Sequence, residues 1–329
     1  MTTADSNLAP AATPLVSVAI TSFNSAQWLP RALESVLKQR TEYPIEIVIG
    51  DDCSQDATIN VAQSYREKYP HIIRLCERAA NVGIQRNYYE TFEQCRGKYI
   101  AWLDADDYWT DPEKLSIQTA VLEDDPSVTV CCHYVRWITN EGEVKRQKYP
   151  SQPAGAYGLE GILRSNLVPS PSAMFRNGLQ RQLPAWYFDL APTTDWPLWV
   201  LAALSGKILL LDRVMADYVL TPGSSLMGQG DLHWYKTDAR FYEHIESVIP
   251  RNWHRLVRSE KGKRYEGLAH WLRTQGDFAA SRKAALRAFC SPFFMDRLRS
   301  KSVSLAGSLL REAEWRITTR RTTPDGQSS

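Results

Sequence analysis

From Leu15 to Ile138, short apolar runs alternate with longer stretches whose apolar residues recur at helical spacing. Leu15 to Thr21 (LVSVAIT) predicts a strand, and Ala26 to Gln39, with Leu29, Leu33, Val36 and Leu37 on one face, predicts a helix. Ile45 to Gly50 (IEIVIG) repeats the strand pattern. A helical stretch follows from Asp56, with Ile59, Ala62 and Tyr65 in phase. Ile72 to Cys76 then reads as strand, Val82 to Cys95 as helix and Tyr99 to Leu103 as strand. Pro112 opens a helix running to about Leu122, since proline is favourable in a first turn, and Val128 to Ile138 is strand again. Such alternation predicts an α/β unit built on a mainly parallel sheet, in which ligands gather outside the carboxyl ends of the strands. Those ends carry polar residues here: Thr21-Ser22-Phe23-Asn24, Asp51-Asp52, Asn81, and the cluster Asp104, Asp106, Asp107.

Past residue 140 the pattern loosens. Pro150, Pro153, Gly155 and Gly158 punctuate it, short strands are predicted at Ser172–Phe175 and Lys207–Asp212, and a helix is predicted from Thr194 or Asp195 to Ser205. From about residue 231 the chain reads as helical. Phe278 to Phe289 is rich in alanine and arginine, and a last helix has an apolar stripe of Val303, Ala306, Leu310, Ala313 and Ile317. One helical-hairpin-like unit at 276–283 does not make a repeat array.

A hydrophobic content of 43% and a charged content of 23% over 329 residues fit a globular protein with a sizeable core. No apolar run approaches the roughly 18 residues of a membrane span. The start, MTTADSNLAPAATP, has neither the basic nor the apolar region of a secretory signal, so 1–14 reads as a disordered lead. The six cysteines form no C-x-x-C pair, and are expected as buried, reduced thiols of a cytoplasmic protein. The net charge of +2 conceals an asymmetry: Arg251 to Ser329 holds 17 lysines and arginines against 7 acidic residues, leaving the first 250 residues acidic. A basic tail suits an anionic surface, and equally a solvated helical face.

In WLDADDYWTDPEKL, Asp104, Asp106 and Asp107 crowd into four residues directly after an apolar strand. Like charges so close destabilise one another unless a cation sits among them. Asp104-x-Asp106 offers hard oxygen ligands, which suit Mg²⁺ or Mn²⁺, and Mg²⁺ is commonly shared between one or two carboxylates and substrate phosphates. The reading is a divalent cation bridging a diphosphate. A D-x-D alone is most often an acidic loop; its position after the fourth strand, with Asp51-Asp52 after the second, gives it weight.

Together, Thr21-Ser22-Phe23-Asn24, Asp51-Asp52-Cys53-Ser54-Gln55-Asp56, Asn81-Val82-Gly83 with Arg86-Asn87, and Asp104-Ala105-Asp106-Asp107 resemble family 2 glycosyltransferases of the GT-A fold, from about residue 15 to 135. The resemblance implies a Rossmann-like, mainly parallel sheet flanked by helices, with a nucleotide-binding half at 15–135 and an acceptor half at 136–228. A basic α-helical extension would follow at 229–329. It implies that Thr21, Phe23, Asn24, Asp52, Arg86, Asp104 and Ala105 bind the nucleotide. Asp52 would accept the imide N–H of uracil or thymine, which favours UDP or dTDP. Asp106, with Asp104, would hold Mn²⁺ or Mg²⁺. Asp195 stands where the family places its general base, although the usual Glu-Asp pair is Thr194-Asp195 here and Asp195 also suits a helix cap. Asp189 is the reserve candidate. Trp196 and Tyr218 are expected at the acceptor site.

Two features depart from the family. Tyr218-Val219-Leu220-Thr221-Pro222-Gly223-Ser224-Ser225 lacks the Arg and His that often follow the tyrosine, and the Gln-x-x-Arg-Trp signature of processive synthases is missing. The expected activity is therefore a single, inverting transfer from a nucleoside-diphosphate sugar to an acceptor hydroxyl. The acceptor would be a glycan or lipid-linked glycan in bacterial surface polysaccharide assembly, with a peptide or small molecule as the alternative. Peripheral attachment at the inner face of an anionic membrane and homo-oligomers through the C-terminal helices fit this reading; nucleic acid does not. A silent nucleotide-sugar-binding or membrane-docking module is the alternative from another class. The absence of G-x-G-x-x-G after the first strand argues against a dinucleotide oxidoreductase.

Overall fold

The computed structural model describes residues 13–190, 195–221, 230–293 and 295. The chain divides into two compact units, Met1–Ile249 and Pro250–Ser329. In the first, the strands β1 (Val16–Ser22), β2 (Ile45–Asp51), β3 (Ile73–Glu77) and β4 (Tyr99–Asp104) alternate with the helices α1 (Leu29–Leu37), α2 (Thr58–Lys68) and α3 (Ile84–Glu93). There follow β5 (Tyr108–Trp109), α4 (Lys114–Asp124), β6 (Val128–Thr139), β7 (Val144–Tyr149), β8 (Gly155–Tyr157), α5 (Leu159–Arg164), β9 (Met174–Arg176), α6 (Trp196–Ser205), β10 (Lys207–Leu220) and α7 (Gly230–Ile245). The second unit contains α8 (His254–Thr274) and α9 (Phe278–Phe289).

One ten-stranded sheet runs in the order β3-β2-β1-β4-β9-β6-β10-β5, with β7 beside β6 and β8 beside β10. β1 lies parallel to both β2 and β4, and β2 to β3. These strands are apolar on both faces because helices cover both: Val18, Ile20, Ile47, Ile49, Ala101 and Leu103 are fully buried. α3 lies so close on β2 that a Cβ at Gly50 would stand 1.8 Å from Thr91 Oγ1, which restricts that position to glycine. The expected α/β fold with flanking helices, followed by helices towards the C-terminus, is the observed one; its first four strands pair in parallel and the whole sheet is mixed.

The later strands depart from the sequence reading. β9 lies antiparallel between β4 and β6. β10 continues to Leu220, well past the expected Asp212, through register shifts near Val214 that absorb the polar Asp212-Arg213. α4 begins at Lys114, after a turn at Pro112. Cys95, Cys131 and Cys132 are buried free thiols, whereas Cys53 and Cys76 are half-buried and Cys290 is exposed, so burial holds for only part of the set. The helix expected over 303–317, the 1–14 lead apart from its last two residues, and Gly223-Ser224-Ser225 lie outside the described residues. Among the described residues no helix is long and apolar enough to cross a membrane.

Candidate functional site

The parallel register brings the polar strand ends together. Thr21 lies opposite Gly50 on one side and Asp104 on the other, and Ser22 opposite Asp51. Beyond these ends opens a cleft of about 620 Å³. Its walls include Thr21, Phe23, Asn24, Asp52, Asp104, Ala105, Asp106 and Tyr218. Of the residues expected to bind nucleotide, metal or acceptor, Arg86 and Trp196 do not line it.

The two aspartates after β2 are anchored differently. Asp51, fully buried, accepts hydrogen bonds from Ser22 Oγ (3.0 Å), Ser54 N (2.8 Å) and Ser54 Oγ (2.6 Å), which folds the next loop back on the strand. That loop requires a left-handed backbone at Cys53 (φ 61°), and its neighbour requires one at Asn24 (φ 50°). Asn24 Oδ1 accepts from Gln55 N at 2.8 Å and ties the two loops together. Asp52 clamps the turn before α3: Oδ1 accepts from Val82 N (2.7 Å) and Oδ2 from Gly83 N (3.0 Å). Gly83, at φ 86°, adopts the positive φ that favours glycine and turns the chain into α3. Asp52 is therefore a loop anchor, and one lone pair on each oxygen still faces other partners. Phe23 and Ile84 border the cleft at 48% and 42% exposure, apolar surface of the kind that a flat base covers.

The carboxylates after β4 take three roles. Asp104 is held by four donors: Oδ1 accepts from Thr21 Oγ1 (2.9 Å), Tyr88 OH (2.8 Å) and Trp102 Nε1 (3.2 Å), and Oδ2 from Ser170 Oγ (2.8 Å). Asp106 lines the cleft with one weak contact, from Thr221 Oγ1 at 3.2 Å. Burial, and then the charge of Asp104, push its carboxyl up to about 6. Asp107 is buried and accepts from Val219 N at 2.7 Å; burial and its two neighbours hold its carboxyl well above the usual range. The sequence did not single out Tyr88, Ser170 or Thr221. They meet the cluster only through long-range folding, although Tyr88 directly follows the quoted Arg86-Asn87.

The donor set suits a hard divalent cation only with outside help. Among the described residues no group of three or more His, Cys, Asp or Glu is arranged to hold a metal ion. Asp106 is the carboxylate with the most free oxygen valence, and a nearby cation would offset the burial and the Asp104 charge that raise its pKa. Asp104 takes three donors on Oδ1 and one on Oδ2, so it orders the rim while Oδ2 keeps a lone pair for a further partner.

Asp195 stands at the start of α6, where both oxygens accept from Asn166 Nδ2 (3.0 and 3.1 Å). Burial raises its carboxyl above the ordinary value, against the lowering effect of Asn166. The preceding residues 191–194 lie outside the described residues. Trp196 is 3% exposed, stacks on Phe241 at 4.5 Å and donates its indole N–H to Ile162 O at 2.7 Å, so its ring faces the core and no acceptor. Arg86 lies on the outer face of α3, 4.9 Å above the ring of Phe188 and 3.9 Å from Glu90. Tyr218 does line the cleft, beside Trp137 at 6.5 Å between ring centres. The reserve candidate, Asp189, accepts from Arg240 only through its backbone carbonyl.

The sequence model of the Glycosyl transferase family 2 matches residues 17–181. An uncharacterized protein of Mycobacterium tuberculosis is 34% identical over 204 residues, 62% of this chain and 58% of that protein. The chain thus spans less than two thirds of that relative's length. The fold is similar to that of S. aureus TarS 1-349 in complex with UDP-GlcNAc (TM-score 0.63, 19% identity, 83% of this chain and 81% of the other). It is also similar to the mannosyltransferase PcManGT of Pyrobaculum calidifontis in complex with GDP-Man and Mn²⁺ (TM-score 0.55, 16% identity, 89% and 80%).

Proposed function

The chain belongs to glycosyl transferase family 2, and from that premise we propose that it moves one sugar, with inversion, from a nucleoside-diphosphate sugar to an acceptor hydroxyl. The observation that carries this reading is the convergence of Thr21, Phe23, Asp52, Asp104 and Asp106 on one cleft at the ends of three parallel strands. The base would lie against Phe23 and Ile84. The ribose and diphosphate would lie along Thr21, Asp104 and Asp106. The free lone pairs of Asp52 favour a base with an imide N–H, hence UDP or dTDP, because a base without that donor leaves them unpaired.

Asp106 would hold a Mn²⁺ or Mg²⁺ ion together with the diphosphate, as the donor complex of PcManGT also contains Mn²⁺. Such a cation supplies neutralisation of the charge that develops on the leaving nucleoside diphosphate. Asp104, ordered by four donors, would fix the rim of the site so that bound donor is held in one orientation. Asp195, its carboxyl raised by burial above the ordinary value, would take the acceptor's proton. The acceptor reading is a glycan or lipid-linked glycan of a bacterial surface, received by the half at 136–228, with the helices after 229 as an extension.

The test is release of nucleoside diphosphate. UDP-sugars and dTDP-sugars are supplied with Mn²⁺, with and without glycan acceptors, to the wild type and to Asp106→Asn. Turnover of at least one donor, lost in the variant, is expected. Tight binding of a donor with no turnover of any would overturn the proposal in favour of a silent binding module.

A further inference from the structure

The second unit presents an apolar surface that its own helix pairing does not use. α9 (FAASRKAALRAF) turns Ser281, Ala284 and Ala288 inward, and α8 buries Tyr265, Leu268 and Leu272. Small residues let the two helices approach closely, and Ser281 Oγ donates to Ala269 O at 2.7 Å across the seam. Phe278 and Leu286 lie off that seam, 61% and 66% exposed, and Phe289 is 49% exposed. Phe278, Arg282 and Leu286 follow at four-residue steps, and Phe289 stands three residues further on, so they share one helix face. α9 thus exposes Phe278 and Leu286 away from the face that packs on α8.

Apart from the N-cap Asp277 before Phe278, the charges along that face are basic. Between Phe278 and Phe289 the chain carries Arg282, Lys283 and Arg287 and no acidic residue. The whole segment from Arg251 to Ser329 has 17 basic against 7 acidic side chains. An apolar strip with cations at its edge is complementary to an anionic bilayer: the Phe278 ring and Leu286 enter the interface while Arg282 and Lys283 reach up to the phosphates. A second copy is a poorer occupant, because a two-fold contact through this face would set Arg282 against its own equivalent.

We propose that the α9 face bearing Phe278 and Leu286 docks the protein on the surface of an anionic membrane. The claim stands on the second unit alone, so its failure would leave the donor cleft untouched, and the reverse.

The test is co-sedimentation of the full chain with vesicles of phosphatidylcholine, alone and mixed with phosphatidylglycerol. The wild type is expected on the mixed vesicles only, with binding weakened by salt. The double variant Phe278→Ser, Leu286→Ser should lose about tenfold or more in partitioning. Arg282→Glu with Lys283→Glu should abolish it. All four changes fall on exposed positions, and unaltered helical circular dichroism would confirm folded variants. Three results would overturn the proposal: no vesicle binding by the wild type, binding unchanged in the Phe278/Leu286 variant, or a wild-type oligomer that this variant dissolves without any vesicle binding.

Discussion

The carboxylate of Asp107 accepts a 2.7 Å hydrogen bond from the backbone N–H of Val219, which joins the turn after β4 to the end of β10. The acidic cluster is thus a division of labour: Asp107 holds the frame, Asp104 is held by it, and Asp106 faces the cleft. Asp107→Asn keeps an acceptor and removes a buried charge, so it should be at least as stable as the wild type. The raised pKa sets the sign: the protonated acid is favoured in the fold, and stability falls as pH rises above the unfolded value towards the folded one. The advantage of Asp107→Asn in urea unfolding should therefore grow as pH rises above the unfolded carboxyl value of about 4. Asp107→Ala leaves the Val219 N–H unpaired and should cost about 1–3 kcal/mol; wild-type stability in that variant would contradict the frame role.

Tyr88 and Ser170 hold Asp104 from opposite oxygens. Tyr88→Phe and Ser170→Ala each remove one charged hydrogen bond, worth about 1.5–3 kcal/mol. Initial-rate kinetics should show the donor KM raised about tenfold in either variant. Unchanged KM in both would mean that the orientation of Asp104 does not matter to donor binding.

Asp195→Asn should leave UDP affinity unchanged and lower turnover by about 100- to 10,000-fold. The aspartate cannot be replaced in proton transfer by an amide of the same shape, which separates a base from a mere helix cap. Equal turnover in the variant would return Asp195 to a structural role beside Asn166.

Lys114 is fully buried, its ammonium on Gln118 Oε1 at 2.7 Å and 4.0 Å from the centre of the Trp109 ring. Burial lowers its pKa to about 7. The unfolded lysine binds a proton up to about pH 10.4, so wild-type stability rises with pH between the folded and unfolded values. Lys114→Met cannot titrate, and its stability relative to wild type should be greatest at pH 7 and shrink towards pH 10. A difference independent of pH would show that the amine is protonated in the fold.

Much of this architecture is legible in the residue pattern. Val18-Ala19-Ile20 and Ile47-Val48-Ile49 announce buried parallel strands because nothing polar interrupts them, and Asp52 and Asp104 mark their ends. The exposed hairpin strand β7, VKRQKY, has no apolar face for the sequence to reveal. Trp196 misleads for the opposite reason: an aromatic beside a catalytic candidate reads equally as sugar platform or core, and packing against Phe241 decides. Asn166 and Thr221 gain meaning only when strands distant in sequence place them beside Asp195 and Asp106.

The central claim is that Asp106 binds a divalent cation together with a nucleoside diphosphate, and calorimetric titration of UDP, dTDP and GDP, each with and without Mn²⁺, tests it most directly on the wild type and Asp106→Asn. The account predicts manganese-dependent binding of UDP or dTDP that the variant loses. Binding of no diphosphate, or binding as tight in Asp106→Asn as in the wild type, would contradict it.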